Sequence, residues 1–117
     1  MIFKNLKFGE IEIDGIKYTK DIIIERGKII LRDKSPSKIY TAEFGHTPLS
    51  IKEYIPWNCK TLIIGTGIYG SMPVMSEVID EAKDRGVELL MLRTPDAVEK
   101  LKLHPPDTNA ILHLTCW

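Results

Sequence analysis

The segment Thr61-Leu-Ile-Ile-Gly-Thr-Gly-Ile-Tyr-Gly70 constrains this chain most, because a short apolar run leads directly into a G-x-G-x-x-G spacing. A strand that ends in such glycines must turn sharply at its carboxyl end and return through a helix, which places it inside an α/β layer. The same letters carry two functional meanings. They can free backbone N–H groups to hold a pyrophosphate at a helix N-terminus, or they can serve a tight strand-to-helix connection.

Two neighbouring features favour turn geometry. A helix beginning inside the fingerprint would carry Pro73 in its interior, where the missing N–H and the ring clash cost about 3 kcal/mol. The helix is therefore expected from Pro73 to Arg85, with Val74, Val78, Ile79 and Ala82 at helical spacing and Gly86 as its cap, leaving Gly65 to Met72 as an open loop. The fingerprint also needs an acidic residue at the end of the next strand for the ribose hydroxyls, and the chain offers Arg93 and Thr94 there. No nicotinamide, flavin or other cofactor is expected.

The remaining pattern divides near Lys34-Ser-Pro-Ser-Lys38. Before it, Glu10 to Ile13 and Ile16 to Thr19 flank Asp14-Gly15, a pair suited to a type I′ hairpin turn. Asp21 to Glu25 and Lys28 to Arg32 flank Arg26-Gly27 as a second hairpin, with enough isoleucine for burial on both faces. After residue 40, helices and strands alternate. Thr47-Pro48 and Thr94-Pro95 read as helix starts, the first helix running to about Ile55 and the other from Pro95 to Leu101. Val87 to Leu92 reads as a buried parallel strand and Ala110 to Cys116 as the last strand. The expected architecture is α/β, a mixed sheet with helices on its faces and added β-hairpin structure from the N-terminal region of about residues 1–33.

With 117 residues, 44% of them hydrophobic and 27% charged, the chain is expected to form one domain with its own core, residues 1–117. Sixteen basic residues balance sixteen acidic ones, so no field draws nucleic acid or an anionic membrane, and near-zero net charge leaves self-association open. Met1 to Phe8 lacks the apolar core of a secretory signal, and a cytoplasmic location is the default expectation.

His46, His104, His113, Cys59 and Cys116 follow no CxxC or HxxxH spacing, so no metal site is expected. His113 and Cys116 would point to opposite faces of one strand. A thiol nucleophile would need a base supplied by the fold, such as His46 beside Cys116. The favoured reading of these residues is a packed thiol and a loop histidine. Trp57 and Trp117 read as packing residues, with Trp117 also placed to dock into a second subunit.

The order of the TLIIGTG strand, a helix ending at Arg85-Gly-Val87, the segment Leu90-Met-Leu-Arg-Thr-Pro-Asp-Ala-Val98 and the ending Ala110-Ile-Leu-His-Leu-Thr-Cys116 resembles a small family of uncharacterised α/β domains. That family includes the adipogenesis-associated domain protein and a mitochondrial assembly factor of respiratory complex I. Gly45-His46-Thr47-Pro48 resembles the family's approach to its first helix. The resemblance implies a single three-layer domain around a central mixed five-stranded sheet flanked by helices, with additional N-terminal β-hairpin structure, no established catalytic residues, and action through protein partners. Its members usually carry a Tyr-Asn pair and a glycine-containing stretch before the last strand, where this chain reads Glu99-Lys-Leu-Lys-Leu-His-Pro-Pro-Asp-Thr-Asn109.

Two functions follow. The preferred one is a non-catalytic interaction or assembly protein, with an unidentified protein partner docking on Ile68, Tyr69 and Met72. The alternative is a small anionic-ligand binder or enzyme in the crevice at the carboxyl ends of the central strands, walled by Gly65, Thr66, Gly67, Ile68, Arg93 and Thr94.

Overall fold

The computed structural model describes residues 1–115. Two hairpins build the N-terminal part. Strands β1 (Phe3–Lys7), β2 (Glu10–Ile13) and β3 (Ile16–Tyr18) form an antiparallel sheet in that order. Asp14 and Gly15 connect the last two strands at φ +51° and +82°, the two positive angles a type I′ turn requires. Strands β4 (Ile22–Glu25) and β5 (Lys28–Leu31) turn in the same way through Arg26 and Gly27, at +46° and +80°.

That second hairpin joins a five-stranded sheet of order β5-β4-β8-β6-β7, in which β6 is Thr61–Gly65, β7 is Glu88–Leu92 and β8 is Thr108–Leu112. Strand β6 runs parallel to both β7 and β8, whereas β4 pairs antiparallel with β8 and with β5. The sheet is therefore mixed, with the glycine-ended strand at its parallel centre.

Alternation along the strands splits the core in two. Ile22, Ile24, Ile63, Ala110 and Leu112 face helix α3 (Thr94–Leu101) and the three-stranded sheet, where Phe3, Ile11, Ile13, Ala97, Val98 and Leu101 meet them. Ile23, Leu62, Ile64 and Ile111 face the opposite side, against Val78 and Ala82 of helix α2 (Ser76–Arg85) together with Leu49, Ile55 and Met72.

Several elements depart from the sequence expectations. Strands β5 and β7 are the two edges of the sheet, so Ile30, Leu31 and Met91 are exposed rather than buried on both faces. No helix spans Thr47 to Ile55. The helix here is α1 (Thr41–Phe44), which follows a 3₁₀ turn over Ser35–Tyr40 and ends at Gly45 in the left-handed conformation. Beyond it the chain is extended at Leu49, whose N–H donates to the Pro73 carbonyl (2.9 Å) and whose carbonyl accepts from Met75 N–H (3.0 Å). This pairing also keeps Pro73 out of α2, which begins three residues later, at Ser76. The last strand ends at Leu112, and the readings placed on Cys116 and Trp117 fall outside the described residues.

Candidate functional site

The chain leaves β6 at Gly65 and crosses to α2 through the loop 65–75. The amides of Thr66, Gly67, Gly70 and Met72 are committed within the fold. Thr66 N–H donates to Leu92 O (2.8 Å), Gly70 N–H to Gly67 O (3.1 Å) and Met72 N–H to Thr66 O (2.9 Å). Gly67 N–H donates to the Thr94 hydroxyl (2.8 Å), which in turn donates to the His113 carbonyl (2.8 Å). Thr94 is wholly buried, and its N–H donates back to Gly67 O (3.0 Å). Its hydroxyl thus spends one donor and one acceptor on stitching the carboxyl ends of β6 and β8 to the start of α3.

The glycines follow from that stitching. A Cβ on Gly65 would lie 2.9 Å from Thr94 Oγ1 and 3.1 Å from Thr94 Cα. One on Gly67, held at φ +110°, would lie 3.0 Å from Cδ2 of His113. The first spacing lets a helix start press on a strand end, and the second makes room for an imidazole.

Beneath the loop lies a charged cluster. The Arg32 guanidinium holds Glu53 with two parallel bonds, Nε to Oε1 (2.7 Å) and Nη2 to Oε2 (2.8 Å). Its Nη1 reaches Asp21 Oδ2 (2.8 Å) and the sulfur of Met72 (3.1 Å), and Nη2 also reaches the Pro48 carbonyl (3.2 Å). Glu53 accepts from Ser37, whose hydroxyl also meets that of Ser50 (2.6 Å). Asp21 accepts from the backbone of Leu114 (2.7 Å) and Thr115 (3.2 Å) and lies 2.6 Å from Nδ1 of His113. Among the described residues no buried side-chain polar atom is left without a partner.

The titration of the cluster follows from its geometry. Burial works to raise the Asp21 pKa, but the hydrogen bond and charge of His113, the Leu114 amide and the Arg32 charge together hold it below the ordinary aspartate value of 3.8. Burial likewise opposes the charge on Arg32, and the hydrogen bonds and charges of Glu53 and Asp21 raise its pKa despite that.

The candidate wall residues divide by depth. Gly65, Gly67 and Thr94 are buried, Thr66 and Ile68 half-buried, and Arg93 exposed. Of the three expected anchors, Tyr69 is 76% exposed and Met72 only 3%. Met72 thus supports the loop from below, over Arg32, and Tyr69 presents its ring. Phe8, which sequence reasoning did not select, stands against that ring with centroids 6.1 Å apart. The aliphatic stem of Arg93 runs alongside Gly70, its Cγ 3.2 Å from where a Cβ would sit. Phe8, Tyr69 and Arg93 therefore border one surface, which no local sequence pattern links because Phe8 lies in the turn between β1 and β2.

The chain matches the family described as protein of unknown function (DUF498/DUF598) over residues 3–104. It belongs to that family. The fold is also that of a conserved hypothetical protein, PH1505, from Pyrococcus horikoshii, with 29% identity, 99% of this chain and 100% of that chain covered, and a TM-score of 0.83. MT938 is 20% identical over 98% of both chains with a TM-score of 0.68. A Mth938-like domain protein from Bordetella pertussis is 14% identical over 96% of this chain and 84% of that one, with a TM-score of 0.57.

In this DUF498/DUF598 chain the Asp21–His113 pair has the spacing of the orienting half of a nucleophile–His–Asp relay. Two features also tie it into the fold. The His113 side chain is 5% exposed and lies against Gly67, and Asp21 Oδ2 is shared with Arg32. Cys59 is half-buried, and burial pushes its thiol pKa up, away from the thiolate a nucleophile needs. Among the described residues no three His, Cys, Asp or Glu side chains are grouped to hold a metal ion, and no helix is long and apolar enough to cross a membrane.

Proposed function

We propose that this DUF498/DUF598 chain is a non-catalytic protein-interaction module of the assembly-factor kind, docking its partner on the glycine-loop surface of Phe8, Ile68, Tyr69 and Arg93. One observation carries the reading: the loop turns the amides of Thr66, Gly67, Gly70 and Met72 to Leu92, Thr94 and its own carbonyls while holding Tyr69 outward against Phe8. Exposed tyrosine and arginine beside an apolar ring are the side chains that concentrate binding energy at protein interfaces. The rigid floor beneath them lowers the ordering cost of docking.

The alternative, a small anionic ligand in the same crevice, draws on Arg93, which is exposed and pairs with no carboxylate among the described residues. One experiment separates the two. Affinity purification from the source cell is run with the wild-type chain and with an Ile68→Ser/Tyr69→Ser variant, alongside melting curves with phosphosugars, nucleotides and carboxylates. The interaction reading expects a protein partner lost from the variant, an unchanged fold, and melting curves flat across the small molecules. A partner recovered equally with both chains, or a melting shift from one anion class that Arg93→Met removes, contradicts it.

A further inference from the structure

One open cavity among the described residues lies at the other end of the sheet from the glycine loop. Helix α3 starts at the carboxyl ends of the strands and has eight residues, so it extends about 12 Å, whereas a five-residue strand extends about 17 Å. The helix therefore stops short. Past Leu101 only the segment 102–107 returns to β8, and the amino ends of β6 and β7 stay uncovered on that face.

The gap is a cavity of about 460 Å³, within the range that small-molecule sites occupy. Leu90 of β7 forms most of its floor, with the buried Ile63 of β6 behind it, and Leu103, Pro105 and Pro106 border it from segment 102–107. Leu103 is 77% exposed, the most exposed large apolar side chain among the described residues, although it borders an apolar cleft that could cover it. Lys60 and Lys100 stand at the rim, and neither pairs with a carboxylate among the described residues. The carboxylate of the lining, Glu88, accepts from the Thr61 hydroxyl (3.2 Å).

We propose that this cavity binds a small carboxylate with an apolar body, the chain or ring lying on Leu90 beside Leu103, Pro105 and Pro106 and the carboxylate held between Lys60 and Lys100. Both halves of the ligand are needed. The floor offers apolar area without hydrogen-bonding groups, and the rim offers two cations that form no ion pair among the described residues, Glu88 being turned to the Thr61 hydroxyl. A neutral amphiphile would gain only the first, and a short carboxylate such as acetate only the second.

Amide NMR of the full chain titrated with octanoate, octanol and acetate tests the site. Octanoate is expected to shift Leu90, Leu103 and Thr108 with saturation, octanol to bind about ten-fold more weakly, and acetate to leave them in place. A Lys60→Glu/Lys100→Glu variant, altered only at exposed positions, should lose about ten-fold or more in octanoate affinity, equivalent to about 1.4 kcal/mol, with octanol unaffected. Absence of saturable shifts with octanoate, equal binding of octanol, or unchanged octanoate affinity in the charge-reversed variant each overturns the proposal. Since the glycine-loop surface is remote from these residues, none of these results bears on partner docking.

Discussion

Gly67 sits at φ +110° with the edge of the His113 ring where a Cβ would go, while Gly45 at φ +76° faces open space. The two positions differ in backbone strain as well as in contact, since φ +110° lies further from the left-handed region open to L-residues than φ +76° does. Gly45→Ala should cost about 1 kcal/mol for backbone strain alone, and Gly67→Ala about 1–3 kcal/mol more, because its φ is less open to an L-residue and the imidazole that anchors Asp21 must move. Urea unfolding of the two variants measures the difference, and equal losses would mean that His113 does not need this glycine. Asp21 supplies the residue-scale pH prediction. Its folded pKa lies below its unfolded value of about 3.9, so its contribution is complete above that value and is lost as pH falls through the folded one. Asp21→Asn should destabilise the fold near neutral pH by about 3–5 kcal/mol, because Arg32 loses one of its two buried carboxylates. It should also flatten the acid limb of the stability curve below about pH 4. An acid limb unchanged in the variant would remove Asp21 as its source.

At the scale of elements, the hairpins and the parallel strand were legible because each is fixed by neighbours in sequence. Asp14-Gly15 and Arg26-Gly27 supply their positive angles locally, and Leu62 to Ile64 is apolar on both faces because α3 and the three-stranded sheet cover one face of the sheet and α2 the other. The segment Thr47 to Ile55 was not legible. Its conformation is set by pairing of Leu49 with Pro73 and Met75 and by the two parallel hydrogen bonds from Arg32 to Glu53, across separations that periodicity does not see. Buried Asp21, Arg32 and Glu53 were invisible for a related reason: a charged residue in a sequence reads as solvent-facing, and only the fold brings their opposite charges together. Glu53→Ala should therefore destabilise the chain by about 3–5 kcal/mol and loosen this segment first. Hydrogen exchange at the Leu49 and Met75 amides should accelerate more than exchange at Ile63 in β6 under native conditions. Uniform acceleration would mean that the segment is not a separately held element.

For the whole molecule, the glycine fingerprint was visible from the start, whereas its use depends on Thr94 and His113, which arrive from two other elements. Its amides serve the joint between strand ends and helix start, and the surface above that joint carries Tyr69, Phe8 and Arg93. The proposed docking of a protein partner there is the central claim, and site-specific photocrosslinking tests it without relying on loss of binding. A benzoylphenylalanine placed at Tyr69 in the source cell should yield a discrete protein adduct, and the same group at Ile39, 68% exposed on the 3₁₀ turn, should not. Equal adducts from both positions, or none from position 69 while the chain remains folded, would contradict the account.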